Sequence, residues 1–207
     1  DESMNSINSM LLSLPGILMA ISFHECAHAY VAHLMGDDTA KDAGRISINP
    51  LHHIDPFGFL MLLLVHFGWA KPVPVVESNF RNRKLGSFLV SIAGVTMNII
   101  LAMVLGIIWR LLSSVIQQES FDSIMILAVY INIYFAAFNL IPIPPLDGYR
   151  ILCLVLPYSW KYKLYELERY SFLVLIVLIY TKVLYIILTP TVVIISKIVS
   201  LVTGPLG

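Results

Sequence analysis

His24-Glu25-Cys26-Ala27-His28 sets two imidazoles four residues apart, with a carboxylate directly after the first. On a helix, residues i and i+4 share a face, so both rings can reach one metal ion while Glu25, one position along, points beside it toward a metal-bound water. The chemistry such a trio serves is metal-assisted hydrolysis, with the glutamate as proton carrier. These residues lie in an apolar run, 9–35, long enough to cross a bilayer. An ionisable residue near the middle of a span costs about 2.5 to 3.5 kcal/mol on the insertion scale, so three within five residues need a compensating role. A polar face paired with neighbouring helices supplies one such role. An intramembrane metal transporter or metal-binding sensor supplies another, since intramembrane His and Asp on broken helices also mark ion paths. Intramembrane charge clusters without function are rare, and a transporter has no need of a glutamate in this order beside two ligands.

The elements that must position this trio follow from composition. Of 207 residues, 58% are hydrophobic by type and 13% charged, and 13 Lys+Arg balance 13 Asp+Glu. A soluble domain carries about a quarter charged residues, so a water-soluble globular enzyme, a disordered chain and a basic nucleic-acid binder are all excluded. No nucleic-acid partner is expected; the lipid bilayer is. Cys26 and Cys153 lie far apart in or beside apolar stretches and read as reduced thiols. No basic n-region precedes the first apolar run, so residues 9–23 read as mature structure rather than a signal peptide.

Further spans are expected over 85–112, 123–146 and from Tyr170 to Leu188, with a shorter element from Pro190 to Val202 after a break at Thr189-Pro190. Pro56 to Trp69 is too short to cross and is bracketed by Asp55-Pro56, Gly58 and Gly68. If it dips in and returns, Lys41, Arg45, Lys71, Arg81, Arg83, Lys84, Arg150, Lys161, Lys163 and Arg169 share one side, while the opposite loop, 113–122, holds Glu119 and Asp122 and no basic residue. That is the positive-inside pattern, which makes the basic face cytoplasmic and the segment re-entrant. Arg45 to Asn49 alternates polar and apolar residues, and Pro72-Val73-Pro74-Val75-Val76 is β-branched with prolines, so both read as short strands with an edge able to hold an extended substrate. The expected fold is an all-α polytopic membrane protein of about five to six transmembrane helices, with a re-entrant segment and a small β-strand element on the cytoplasmic side. It forms one domain over 1–207, with a catalytic core at about 9–150 and C-terminal helices at about 165–204.

A metal at His24 and His28 needs a third ligand at the same depth. Asp147 closes the uncharged stretch 123–146 and, in this topology, emerges on the same side as the end of the first span. Before it runs Asn139-Leu140-Ile141-Pro142-Ile143-Pro144-Pro145-Leu146. Three prolines within four residues cannot continue a helix, and unwound backbone at membrane depth is tolerated only where it lines a protein cavity. Asn139 then sits on the last helical turn, its amide either a donor to a substrate carbonyl or packing glue.

These residues resemble the site-2 proteases, zinc-dependent intramembrane peptidases. The resemblance runs from Phe23–His28 through Gly44-Arg45, Asn49-Pro50, His53-Ile54-Asp55-Pro56, Phe67-Gly68-Trp69-Ala70-Lys71-Pro72-Val73-Pro74 and Asn79-Phe80-Arg81-Asn82 to Asn139–Gly148. It is most similar to the compact bacterial and archaeal branch with neither PDZ nor CBS domain. The resemblance implies one Zn²⁺ on His24, His28 and Asp147, Glu25 as catalytic glutamate and Asn139 against the reacting peptide group. It further implies a cell membrane setting with the site toward the cytoplasm. The substrate it implies is a single-span membrane protein, such as a membrane-held transcription regulator or anti-sigma factor, or a leftover signal peptide. One departure is Gly94-Val95-Thr96-Met97-Asn98, where the family often has Gly-Pro and then Asn; Ser91, Gly94 and Asn98 form a small, polar stripe that reads as helix packing, outside the site. Of the other histidines, His33 reads as interfacial, His52 as a loop residue, His66 as packing, and His53 as a loop residue or a partner of Asp55.

Overall fold

The computed structural model describes residues 2–65, 68–157, 159–161, 164 and 168–205; His66, Phe67 and Lys163 of the sequence reading lie outside the described residues. The described helices are α1 (Glu2–Met35), α2 (Thr39–Asp42), α3 (Pro56–Val65), α4 (Arg83–Leu112), α5 (Glu119–Asn139), α6 (Asp147–Val155), α7 (Ser171–Tyr180) and α8 (Val183–Thr203). Four are long and apolar enough to cross a membrane: Met10–Met35 of α1, then α4, α5 and α8. Among the described residues, helices of spanning length therefore number four where five to six were expected. The difference lies after Tyr170, where the break falls at Thr181-Lys182 rather than at Thr189-Pro190. Thr181 turns its hydroxyl back to the Val177 carbonyl (2.7 Å) and Lys182 adopts φ 60°, whereas Pro190 sits inside α8. A single proline removes only the donor for the Ile186 carbonyl, and an apolar helix absorbs that loss.

The bundle is built on α4, which packs against α1, α5, α6 and α8. Its core joins Val95, Leu101, Ala102 and Leu105 of α4 to Ala128, Val129, Ile133, Ala136 and Ala137 of α5 and Ile195 and Val199 of α8. Four alanines among these let the helix backbones approach closely, the packing expected where lipid offers no hydrophobic drive. Asn82 caps α4, its side chain accepting from the Leu85 N–H at 3.1 Å.

Between α2 and α4 the chain forms a closed loop. α3 is ten residues long, and the chain on either side of it is pinned by an antiparallel bridge between Ile54 and Ala70 and by the Lys71 N–H on the His53 carbonyl (2.8 Å). Asp55 accepts the Gly58 N–H at 2.8 Å, as an N-cap does. The result is a helical loop that returns to its starting point.

The expected β-strand element is absent: among the described residues no strand forms, only the Ile54–Ala70 bridge. The reason is where the backbone groups go. The Val73 N–H donates to Glu25 Oε2 (3.1 Å) and the Val76 N–H to Asp37 Oδ2 (2.7 Å), Pro72 and Pro74 have no N–H, and the carbonyls of Lys71 and Pro72 accept from Arg45. The Ser47 carbonyl accepts from His53 Nε2 (2.6 Å). Neither segment keeps a continuous row of free groups on which a strand could add.

Asp37, fully buried, ties the end of α1 to this extended segment. Besides Val76 it accepts from the Thr39 N–H (3.2 Å), the Thr39 hydroxyl (2.5 Å) and Asn79 Nδ2 (2.9 Å). Burial pushes its carboxyl up, but these four donors outweigh it and hold the group below its ordinary value. A depressed native pKa adds stability that is present above the unfolded carboxylate value and lost as pH falls through the folded one. Replacement by Ala strands buried donors, and Asp37→Ala is expected to lose about 2 to 5 kcal/mol, read as a lower unfolding midpoint. Wild type is further expected to lose stability on acidification below about pH 4, with Asp37→Asn showing the weaker dependence.

Candidate metal centre

His24 and His28 stand one turn apart on α1, and the other side of the centre is supplied by the start of α6. Helix α5 ends at Asn139, the chain turns through Leu140–Leu146, and Asp147 opens α6. Gly148 permits this return, since a Cβ there would lie 2.7 Å from the Ile141 carbonyl oxygen. Asp147 is thereby seated at the depth of the two imidazoles.

His24 Nε2 lies 3.2 Å and His28 Nε2 3.1 Å from Asp147 Oδ2, and the two Nε2 atoms are 3.0 Å apart. All three residues are more than nine-tenths buried. His28 Nδ1 lies 2.7 Å from the Val90 carbonyl, which only accepts, so the proton of the neutral ring is on Nδ1. His24 Nδ1 lies 2.7 Å from Asn98 Oδ1, and Asn98 Nδ2 is committed as donor to the Ala20 carbonyl (3.0 Å) and to Asn132 Oδ1 (2.9 Å), so Nδ1 carries the proton here too. Both Nε2 atoms therefore present lone pairs. Asp147 Oδ2, buried and facing them, takes a hydrogen bond from neither and has no other partner.

Three buried acceptors meeting with no proton between them call for a cation. Ligand atoms about 2.0 to 2.1 Å from a tetrahedral ion lie about 3.3 Å from one another, close to the spacing observed, and a nitrogen–nitrogen–carboxylate set suits zinc. The donor set fits the metal that the sequence reading expected.

Glu25 stands beside this triangle without joining it, its Oε2 held by the Val73 N–H. Both Glu25 and Asn139 line a cavity of about 560 Å³ together with His24, Trp69, Pro72, Phe135 and Pro145. Asn139 donates one Nδ2 hydrogen to the Phe135 carbonyl (3.0 Å), which leaves the second hydrogen and Oδ1 available.

Asn98 belongs to the site's support, contrary to the packing role read from sequence. Gly94, one turn before it, makes room for the His24 ring, since a Cβ at Gly94 would lie 2.6 Å from both ring nitrogens. Asn132, two turns before Asn139 on α5, completes the chain of amides and was missed altogether. The signal available for both was the fully buried amide inside an apolar span, which always needs a partner. His53 does not pair with Asp55: its ring bonds the Ser47 carbonyl and faces Arg45 Nη2 at 3.4 Å, and burial, with Arg45 adding to it, pushes its pKa down. His52 bonds the Gly44 carbonyl (3.1 Å), and His33 pairs with Asp38.

Comparison with known proteins gives the family. Residues 106–181, which include Asn139 and Asp147, match Peptidase family M50. The chain is 40% identical over 172 residues to a Bacillus subtilis protein named "Putative zinc metalloprotease YwhC", covering 80% of this chain and 78% of that one. It is 27% identical over 183 residues to "Putative zinc metalloprotease Rip2" of Mycolicibacterium smegmatis, covering 86% and 70%, and 31% identical over 146 residues to the protein of the same name from Mycobacterium tuberculosis, covering 69% and 56%. No solved structure matches. Four membrane-length helices around a buried His, His, Asp centre define an integral membrane metalloprotein. The chain belongs to peptidase family M50, the site-2 protease family, and is a zinc metalloendopeptidase; family membership selects this reading over the metal transporter or sensor.

Metal analysis after dialysis against a competing chelator checks the centre. Asp147→Ala is expected to lose stoichiometric zinc, and full occupancy in that variant would place the third ligand elsewhere. Asn98→Ala, which frees His24 to rotate, is expected to keep its fold and bind zinc about 10- to 100-fold more weakly.

Proposed function

We propose that this chain is an intramembrane endopeptidase that hydrolyses a peptide bond in or near the transmembrane segment of single-span membrane proteins, or of leftover signal peptides, close to the cytoplasmic side of a bacterial or archaeal cell membrane. The observation that carries this reading is the convergence of three buried acceptors, His24, His28 and Asp147, beside Glu25, with His24 and Glu25 in the wall of a cavity large enough for a peptide. His24, His28 and Asp147 hold the ion. Bound there, Zn²⁺ supplies Lewis acidity, bringing the pKa of water toward about 7 and polarising the scissile carbonyl.

The chain's own residues do the rest. Glu25, in the cavity wall with Oε2 held by Val73, takes the water proton and returns a proton to the leaving amine. Asn139 offers its free N–H to the developing oxyanion. Ile21, Phe135, Phe138, Leu146 and Leu175 give the cavity an apolar wall suited to residues drawn from a membrane helix. Such a helix hides its carbonyls in its own hydrogen bonds, so it must unwind before it is cut. The loop built on α3 dips into the cytoplasmic leaflet, a placement supported by its ten-residue length and by the charge distribution around it.

Glu25→Gln is expected to retain stoichiometric zinc and to lose cleavage of a panel of single-span helices, with products read by mass spectrometry; near wild-type cleavage would overturn the proton-carrier role. Topology is checked with single cysteines at Asn49, Asn82 and Ser120 in a background lacking Cys26 and Cys153, labelled in intact cells by a membrane-impermeant thiol reagent. Positions 49 and 82 are expected to be protected and position 120 to react, whereas labelling at 82 but not 49 would show a full crossing by the α3 loop.

A further inference from the structure

Arg45 is only 5% exposed, an unusual place for a guanidinium on the chain's basic face, and its surroundings explain what it does there. Nη2 donates to the Lys71 carbonyl (2.6 Å) and Nη1 to the Pro72 carbonyl (3.0 Å). Nη2 also faces His53 Nδ1 at 3.4 Å, and because His53 Nε2 donates to the Ser47 carbonyl, Nδ1 is the accepting nitrogen. The fork thus grips two successive carbonyls, and the next backbone donor along the chain is the Val73 N–H that holds Glu25 Oε2. Val73 lies between two prolines whose φ is fixed and which carry no N–H, so this stretch presents a single donor in a restricted direction.

We propose that Arg45 is a positioning residue for Glu25: by clamping the Lys71 and Pro72 carbonyls it presents the Val73 N–H that fixes the Glu25 carboxylate beside the metal centre. The inference rests on Glu25 being the proton carrier of the proposed reaction. The fork geometry suits the task better than a lysine would, since two parallel donors fix a direction where one ammonium does not. Displacing a catalytic group by about 1 Å costs up to about 100-fold in rate without loosening substrate binding to match.

The test combines a structural and a kinetic readout on the full-length, zinc-loaded protein. Amide hydrogen exchange read residue by residue by NMR reports the Val73 amide directly. Arg45→Met is expected to speed Val73 exchange by about tenfold or more while amides of α1 and α4 keep their rates. It should lower kcat by about 10- to 100-fold on a single-span test helix, leave KM within about twofold and leave zinc content unchanged. Arg45→Lys should recover part of both losses. Unchanged Val73 exchange overturns the clamp, and so does acceleration spread equally through α1 and α4, or released Val73 with kcat intact. If wild type cuts no test helix while Arg45→Met and Glu25→Ala both release Val73, the clamp stands and the substrate reading alone fails.

Discussion

The arrangement depends on one electrostatic constraint: three lone-pair donors are buried together, with no hydrogen among them, inside a bundle made of apolar helices. Left alone, such a cluster is expensive, since each acceptor has lost water and gained nothing. Its cost explains the rest of the interior. The Val90 carbonyl and Asn98 fix which nitrogen of each ring is protonated, so that both free lone pairs point inward. Asn132 orients Asn98, and the Asn132 amide hydrogen in turn goes to the Ala128 carbonyl (2.8 Å), closing the chain on helix backbone. A metal site of this kind is set as much by the helices that hold its ligands as by the ligands.

What the sequence made legible was whatever depends on local periodicity. The i, i+4 histidines, the apolar helices over 9–35, 85–112 and 123–146, the unwinding at Pro142–Pro145 and Asp147 as the candidate third ligand all follow from spacing and charge placement, and the structure brings His24, His28 and Asp147 together, whereas the break after Tyr170 falls eight residues earlier than expected. The strands at 45–49 and 72–76 failed for a reason outside their own residues. Their β-branched, alternating pattern is real, but Glu25 and Asp37, both far away in sequence, claim the Val73 and Val76 donors, and Arg45 claims the facing carbonyls. Arg45 itself read as a charge flanking the membrane. Its burial depends on carbonyls 26 and 27 residues away, which no local pattern encodes. Likewise Asn98 looked like packing because its partner His24 lies 74 residues earlier.

The two proline-rich segments beside the site answer one further question, how irregular backbone survives next to apolar helices. Between Leu140 and Leu146 the donors are fully accounted for: Leu140 to the Ala136 carbonyl, Ile141 to Phe138, Ile143 to Ile141 and Leu146 to Ile143, while Pro142, Pro144 and Pro145 have none to place. Prolines here do more than stop α5. Each removes an N–H that an unwound chain would otherwise leave without a partner at membrane depth. The same subtraction at Pro72 and Pro74 leaves Val73 as the donor of that stretch and directs it to the Glu25 carboxylate, the proposed proton carrier. A general base needs one oxygen held, to fix its position, and one free, to do the chemistry. A stretch with several donors would have taken both oxygens of Glu25, and a stretch with none would have left the carboxylate to swing; one N–H between two prolines supplies the intermediate case.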